Sequence, residues 1–350
     1  MKYKNMKTNH LIFTVCVLCF FISCKKFELD APYKEVTVVY GVLDANLDTN
    51  YVKIYKGFQG GNLHAQNPDS IYYYDKIRVV LKEYDLDNIR TSRPDILLSY
   101  THDFPRDAGE FYYDKERIIY FTDEPLNKNN QYKIVVTNKA TRKIMAEGMT
   151  RMVGDFGIAN LSTYFILYGE YNSVTFTRAP HAHSYEIHVN FLYFEVDKSS
   201  KKVVKQGKVK KNITPQLEEE FTANVHGLFK RFLNTLLDNI AGQLDVDNTV
   251  DRFVGFPGSN GVCIEIEAWA AEKSFIKFLL SNQPSSSFIQ VQNRYTNLSA
   301  EDDALVFGFL SSRTKAPIER LGIDTRSEDS IVRGSKTRHL GFKKWSEYIP

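Results

Sequence analysis

From Glu35 onward, apolar and polar side chains alternate in short runs closed by turn residues. Residues 35–43, 51–56 and 77–84 read as strands. In the second of these, Val52 and Ile54 share one face while Lys53 takes the other. The pattern continues through 117–121, 132–137 and 143–149. Strands at this spacing, with no helical period between them, predict a β-sandwich over residues 35–152. Tyr132, which follows Pro125-Leu126, stands where sandwich domains place a corner tyrosine that bonds back to the chain.

A second sandwich is predicted over 160–312. Ser173-Val174-Thr175-Phe176, Ala179-Pro180 and Tyr185-Glu186-Ile187-His188-Val189 resemble the B and C strands of fibronectin-type modules. Tyr185, Ile187, Val189, Phe191 and Tyr193 would line one face. After a lysine-rich hairpin at 201–211 the period changes. Leu217, Phe221, Val225, Leu228, Phe229, Phe232, Leu233, Leu236, Leu237 and Ile240 fit one helical stripe, which predicts an amphipathic helix over 215–241. Thr214 would cap it, Pro215 suits its first turn, Glu218–Glu220 favour the positive end of its dipole, and Gly242 would stop it. Such a helix in a β domain covers a sheet. The alternative is a helix that binds a partner or lies on a membrane, and the acidic start argues against the membrane. Strands are expected again at 262–268, 288–291 and 304–310, with a short second helix at 271–280. Residues 313–350 read as a polar tail whose Phe342, Trp345 and Tyr348 can dock its end.

The first residues follow a different pattern. Lys2, Lys4 and Lys7 precede an apolar run from Leu11 to Ile22, then Ser23-Cys24, and no acid appears before Glu28. That is the order of parts in a signal peptide. The run is shorter than the roughly 20 apolar residues that span a bilayer. Phe21-Ile22-Ser23-Cys24 resembles the lipobox of bacterial lipoproteins, with Phe21 where leucine is usual. The expected processing leaves 1–23 as a lipoprotein signal peptide, Cys24 as the lipidated first residue, and 24–34 as a linker to the anchor. Lipid chains on Cys24 would contribute about 0.8 kcal/mol per buried CH2.

This reading changes the charge and cysteine accounts. Lys2, Lys4 and Lys7 belong to the leader, so the rest of the chain carries 42 side chains of each sign. A formally neutral chain with no strong basic stripe is a poor nucleic-acid binder. Cys16 and Cys19 leave with the leader and Cys24 takes lipid, so Cys263 stands alone with no disulfide partner. The length is near the limit for one core, and two domains are expected.

The leader, the opening strand Val38-Val39-Tyr40-Gly41-Val42-Leu43, the strand-then-helix unit 262–280, Tyr295-Thr296-Asn297-Leu298 and Phe307-Gly308-Phe309-Leu310 together resemble a family. It is a domain-of-unknown-function family of Bacteroidota outer-membrane lipoproteins, often encoded beside TonB-dependent transporters. Glu301-Asp302-Asp303-Ala304 departs from the small, glycine-rich approach to the last strand that the family tends to have. The resemblance implies an outer-membrane location and a transporter partner, and it carries no activity.

Candidates for chemistry are few. Asp44, Asn46, Asp48 and Asn50 alternate as at the start of a calcium loop, but Thr49 and Tyr55 occupy the positions that need glycine and a bidentate glutamate. They read better as a turn. Asp245-Val246-Asp247-Asn248 fails the same test at Val250. His181 and His183 can share a strand face, yet His188 has the other parity and no third zinc ligand is evident. No G-x-S-x-G, H-E-x-x-H or G-x-x-x-x-G-K-[ST] occurs, and Gly57, Gly60 and Gly61 precede no helix. Cys263, between Val262 and Ile264, reads as packing. The chain has 21 Tyr and 24 Phe, and Tyr72-Tyr73-Tyr74 within the loop 59–75 is the candidate ligand-binding cluster, an aromatic platform for sugars or a protein.

The resulting expectation is a mainly β, lipid-anchored envelope protein of two immunoglobulin- or fibronectin-like sandwiches. It would act as a non-enzymatic binding or accessory subunit, with no cofactor beyond the lipid on Cys24 and no metal. Alternatives are a glycan-binding surface lipoprotein and a hydrolase with an unrecognised carboxylate pair.

Overall fold

The computed structural model describes residues 34–59, 71–104, 118–159, 164–165, 171–213, 224–230, 232–259, 261–281 and 295–348. It is mainly β, with the sandwich architecture that the alternation predicts. The first part of the chain supplies β1 (Lys34–Leu43), β2 (Asn50–Gln59), β3 (Ile77–Tyr84), β4 (Ile96–Leu97), β5 (Ser99–Thr101), β6 (Ile119–Thr122), β7 (Gln131–Asn138) and β8 (Ile144–Arg151). The second supplies β9 (Ile158–Ala159), β10 (Tyr164–Phe165), β11 (Tyr171–Thr177), β12 (Ser184–Asp197), β13 (Val203–Ile213), β14 (Asn224–Lys230), helix α1 (Phe232–Gln243), β15 (Val250–Val254), β16 (Ile264–Ala271) and helix α2 (Lys273–Ser281). The last part adds β17 (Leu298–Ser299), β18 (Val306–Lys315), β19 (Glu319–Ile323), helix α3 (Thr325–Arg333) and β20 (Phe342–Lys343).

One long sheet runs in the order β20-β15-β12-β16-β18-β1-β2-β6-β5, with β13, β19 and β10 beside that path. A smaller sheet, β17-β8-β7-β3-β4, shares the first core with it. There Val39, Leu43, Val52 and Ile54 meet Val79, Leu81, Ile134 and Val136. In the second core Ile187, Val189 and Phe191 of β12 and Ile264 and Ile266 of β16 pack with Phe176 of β11, Leu236 and Ile240 of α1, and Ile331 of α3. Each such side chain contributes about 1.5–3 kcal/mol when fully buried. The cores part between Met152, which belongs to the first, and Val153, which belongs to the second.

β18 joins the two. It pairs parallel with β1 from Thr37↔Val306 to Leu43↔Ser312, then antiparallel with β16 from Ala271↔Arg313 to Trp269↔Lys315. Gly308 allows the close approach of β1. Its φ is +95°, and a Cβ there would lie 1.9 Å from the Val39 carbonyl oxygen, so glycine alone fits. The Ser312 hydroxyl donates to the Arg151 carbonyl and accepts from Val153 N–H, tying the crossing between the cores to the same strand. Tyr132 forms the expected corner. Its hydroxyl accepts from Asn127 N–H at 2.8 Å and donates to Glu83 at 2.7 Å.

Two expectations change. The helix predicted over 215–241 begins later: residues 224–230 form β14, antiparallel to β11 from Thr177↔Asn224 to Tyr171↔Lys230. The apolar positions there suited both periods, and Gly227 costs a helix about 1 kcal/mol relative to alanine. Pairing with a strand remote in sequence then decided the conformation. Thr214, Pro215, Leu217, Glu218–Glu220 and Phe221 lie outside the described residues, as does the 288–291 strand. α1 retains the covering role through Leu236, Leu237 and Ile240, and it continues to Gln243, past the expected stop at Gly242. The segment 313–350, read as a polar tail, is built into the second half of the fold as far as it is described. Phe342 is buried in the core, and Trp345 and Tyr348 lie edge-on to Phe194 at 5.8 and 4.9 Å.

Candidate functional site

Cys24 lies outside the described residues, as do Gly60, Gly61 and most of the loop before Tyr72. Tyr72 and Tyr73 are 5 % and 3 % exposed and belong to the first core, with Tyr74 packed against it. The Tyr73 hydroxyl bonds Thr37 Oγ1 at 3.1 Å and donates to Glu35 at 3.2 Å. Tyr72 and Tyr73 therefore lack the ring face at the surface that stacking on the expected platform needs, while Tyr74 is half-buried.

The Asp44–Asn50 segment is a structural turn. Asn50 Oδ1 accepts from Asp44 N–H at 2.7 Å, and Asp44 Oδ1 accepts from Asn46 N–H at 3.0 Å. Asn46 Nδ2 donates to Thr314 at 2.8 Å and to Asp155 at 3.0 Å, so the turn clamps the junction of the cores. Burial pushes the Asp44 carboxyl up, against the Asn46 N–H and the charge of Arg313. An open cleft of about 350 Å³ borders this turn, lined by Asn46, Asp48, Thr49, Asp123 and Pro125 among others. Asp247 likewise caps its own turn, accepting from Thr249 N–H and Oγ1. Gly57 lies inside β2. His181 sits at a φ of +62°, and His183 donates its backbone N–H to Ala271. Among the described residues no group of three or more His, Cys, Asp or Glu is placed to hold a metal ion. Cys263 is fully buried in the second core, and that burial pushes its thiol well above the ordinary range.

A dense polar constellation lies on the face of β12 turned away from the second core. Strand alternation puts Glu186, His188 and Asn190 there, opposite in parity to Ile187 and Val189. Register then sets Trp269 beside Glu186, Glu267 beside His188 and Glu265 beside Asn190. On the far side of β16, Lys315 of β18 stands beside Trp269 and Arg320 of β19 beside Glu265. Asn190 Nδ2 bridges both carboxylates, at 3.3 Å from Glu265 and 2.9 Å from Glu267. Lys315 Nζ donates to Glu267 at 2.6 Å and lies 4.8 Å from the Trp269 ring centre. Arg320 Nε donates to Glu265 at 3.2 Å, and Lys208 of β13 approaches both carboxylates at 3.8 and 4.0 Å. His188 Nε2 contacts Glu186 at 2.6 Å, and its ring centre is 4.5 Å from that of Trp269.

This arrangement limits the chemistry. Burial raises the Glu267 carboxyl, but hydrogen bonds from Lys315 and Asn190 and the charges of Lys315 and Lys208 outweigh it and hold the group below its usual value. A general acid needs the opposite shift. Glu267 thus anchors Lys315 and Asn190, and the buried Glu265 receives Asn190 and the exposed Arg320. The sequence carried a signal for this arrangement, since Glu265 and Glu267 interrupt an otherwise apolar strand at every second position. Which cations would meet them depended on strands far along the chain.

Among the described residues no helix is long and apolar enough to cross a membrane. No family model matches the chain. No curated protein matches it significantly. Solved structures similar to it include the CBD12 region of CALX1.2, at 11 % identity over 80 % of this chain and 99 % of that one, with a TM-score of 0.15. Another is the Fcho1 Mu homology domain of Danio rerio with a bound Eps15 peptide, at 7 % identity over 84 % and 97 % of the two chains, also at 0.15. Likenesses at that score carry no argument.

Proposed function

We propose that this protein is a lipid-anchored envelope protein that serves as a non-enzymatic binding or accessory subunit at an outer membrane. The observation that carries the reading is the order Lys2, Lys4, Lys7, apolar 11–22, Ser23-Cys24, which offers the thiol of Cys24 as the lipid acceptor. The β scaffold supports it, because loops and sheet edges held on a rigid sandwich are suited to recognising partners. The family resemblance points to a TonB-dependent transporter as partner.

The test is a mild-detergent pull-down of the tagged protein from its own membranes, with mass spectrometry, beside Cys24→Ala. The expected result is a transporter recovered with the parent and lost with the variant, together with a lipid-sized mass on the Cys24 peptide. A parent protein found in the soluble fraction with an unmodified Cys24 would overturn the anchor. An anchored protein recovered alone would overturn the partner.

A further inference from the structure

The chain's cations are spread unevenly. Residues 198–212 contain lysines and no carboxylate, although the chain beyond the leader is formally neutral. The segment forms the turn after β12 and then β13, whose only strand partner among the described residues is β12, so it is an edge of the described sheet, with Gln243 of α1 donating to the Lys210 carbonyl. Lys205 and Lys208 are 55 % and 53 % exposed and meet Glu195 and Glu265 only at 3.9 and 3.8 Å. Lys201, Lys202, Lys210 and Lys211 have no carboxylate within 4.0 Å among the described residues. The lysines of β13, from Lys205 to Lys211, thus extend over about 20 Å at roughly 3.3 Å per residue.

Lysines on an edge also keep sheets from pairing with one another. That role does not account for Val203 and Val204, which are 37 % and 57 % exposed between Lys202 and Lys205. Exposed valines at an edge would promote pairing. Valines flanked by exposed lysines match a lipid interface instead, where apolar side chains enter below the headgroups and ammonium groups meet phosphates.

We propose that the 198–211 edge docks on an anionic phospholipid surface, with Lys201, Lys202 and Lys205 on the phosphates and Val203 and Val204 in the interface. The contact does not require Cys24. The test uses the full chain carrying Cys24→Ala, cosedimented at low salt with vesicles of phosphatidylcholine alone or mixed with phosphatidylglycerol. The expected result is partition only onto the mixed vesicles, weakened about 30-fold by Lys201→Gln with Lys202→Gln, at about 1 kcal/mol per lysine. Val203→Ser with Val204→Ser should weaken it about tenfold and leave the salt dependence unchanged. All four positions are exposed, and circular dichroism checks that the variants fold. Equal partition onto both vesicle types would overturn the proposal. So would full binding by the valine variant, which would mark the edge as a site for soluble polyanions.

Discussion

Replacing Gly308 by alanine tests whether β18 holds the two halves together. The new Cβ would sit 1.9 Å from the Val39 carbonyl oxygen at a φ of +95°. The backbone conformation alone costs about 1–2 kcal/mol for an L-residue. Relieving the overlap moves β1 away from β18, which loosens ladder hydrogen bonds worth about 1 kcal/mol each and disturbs packing by about 1–3 kcal/mol. The expected loss is about 3–5 kcal/mol, a large part of the roughly 5–15 kcal/mol that stabilises a folded domain. Gly258 provides the control, since it has a φ of +80° with nothing within 4 Å of an added Cβ. Gly258→Ala should cost only about 1–2 kcal/mol of conformational strain. Urea unfolding would be followed by far-ultraviolet circular dichroism and by the fluorescence of Trp269 and Trp345, both in the second half. Because β18 pairs with β1 and with β16, the two signals should move together in Gly308→Ala. A loss no larger than that of Gly258→Ala, or an unchanged tryptophan transition, would refute the reasoning.

Further outcomes follow from buried groups. Tyr132→Phe should cost about 1–3 kcal/mol in urea unfolding, because it leaves Asn127 N–H and the Glu83 carboxylate each short of a partner; a loss below half of that would refute the corner's role. Burial raises Glu83, but hydrogen bonds from Tyr132, Asn130 and Arg93 prevail and depress its folded pKa. Its contribution is therefore present above its unfolded value near 4.5 and is lost as pH falls through the folded value, so stability measured across pH 2–6 should fall less steeply in Glu83→Gln. Arg252 bonds Glu195 at 2.9 Å and the Leu340 carbonyl at 3.1 Å while 4 % exposed. Arg252→Ala should cost about 3–5 kcal/mol by stranding Glu195, and Arg252→Met with Glu195→Met much less; equal losses would contradict this. Cys263 should resist alkylation in the native protein and react fully in denaturant, which mass spectrometry reads directly.

What the amino-acid sequence determined by itself was local. Ile77–Tyr84 was legible to the residue, and so was the split of Val52 and Ile54 from Lys53, because alternation reports which side of a pleat is buried. Tyr132 was legible because its hydroxyl reaches a backbone N–H only five residues away. Tertiary structure decided what depended on distant chain. Val225, Leu228 and Phe229 suited helix and strand alike, and β11 settled the matter by pairing. Tyr72 and Tyr73 looked like surface aromatics until the sandwich closed over both and brought Thr37 and Glu35 to the Tyr73 hydroxyl. Glu265 and Glu267 acquired their meaning only when β12, β13, β18 and β19 delivered Asn190, Lys208, Lys315 and Arg320. A strand's periodicity records that a face will be covered. The identity of the covering group is set by register with strands dozens of residues away, which no local pattern contains.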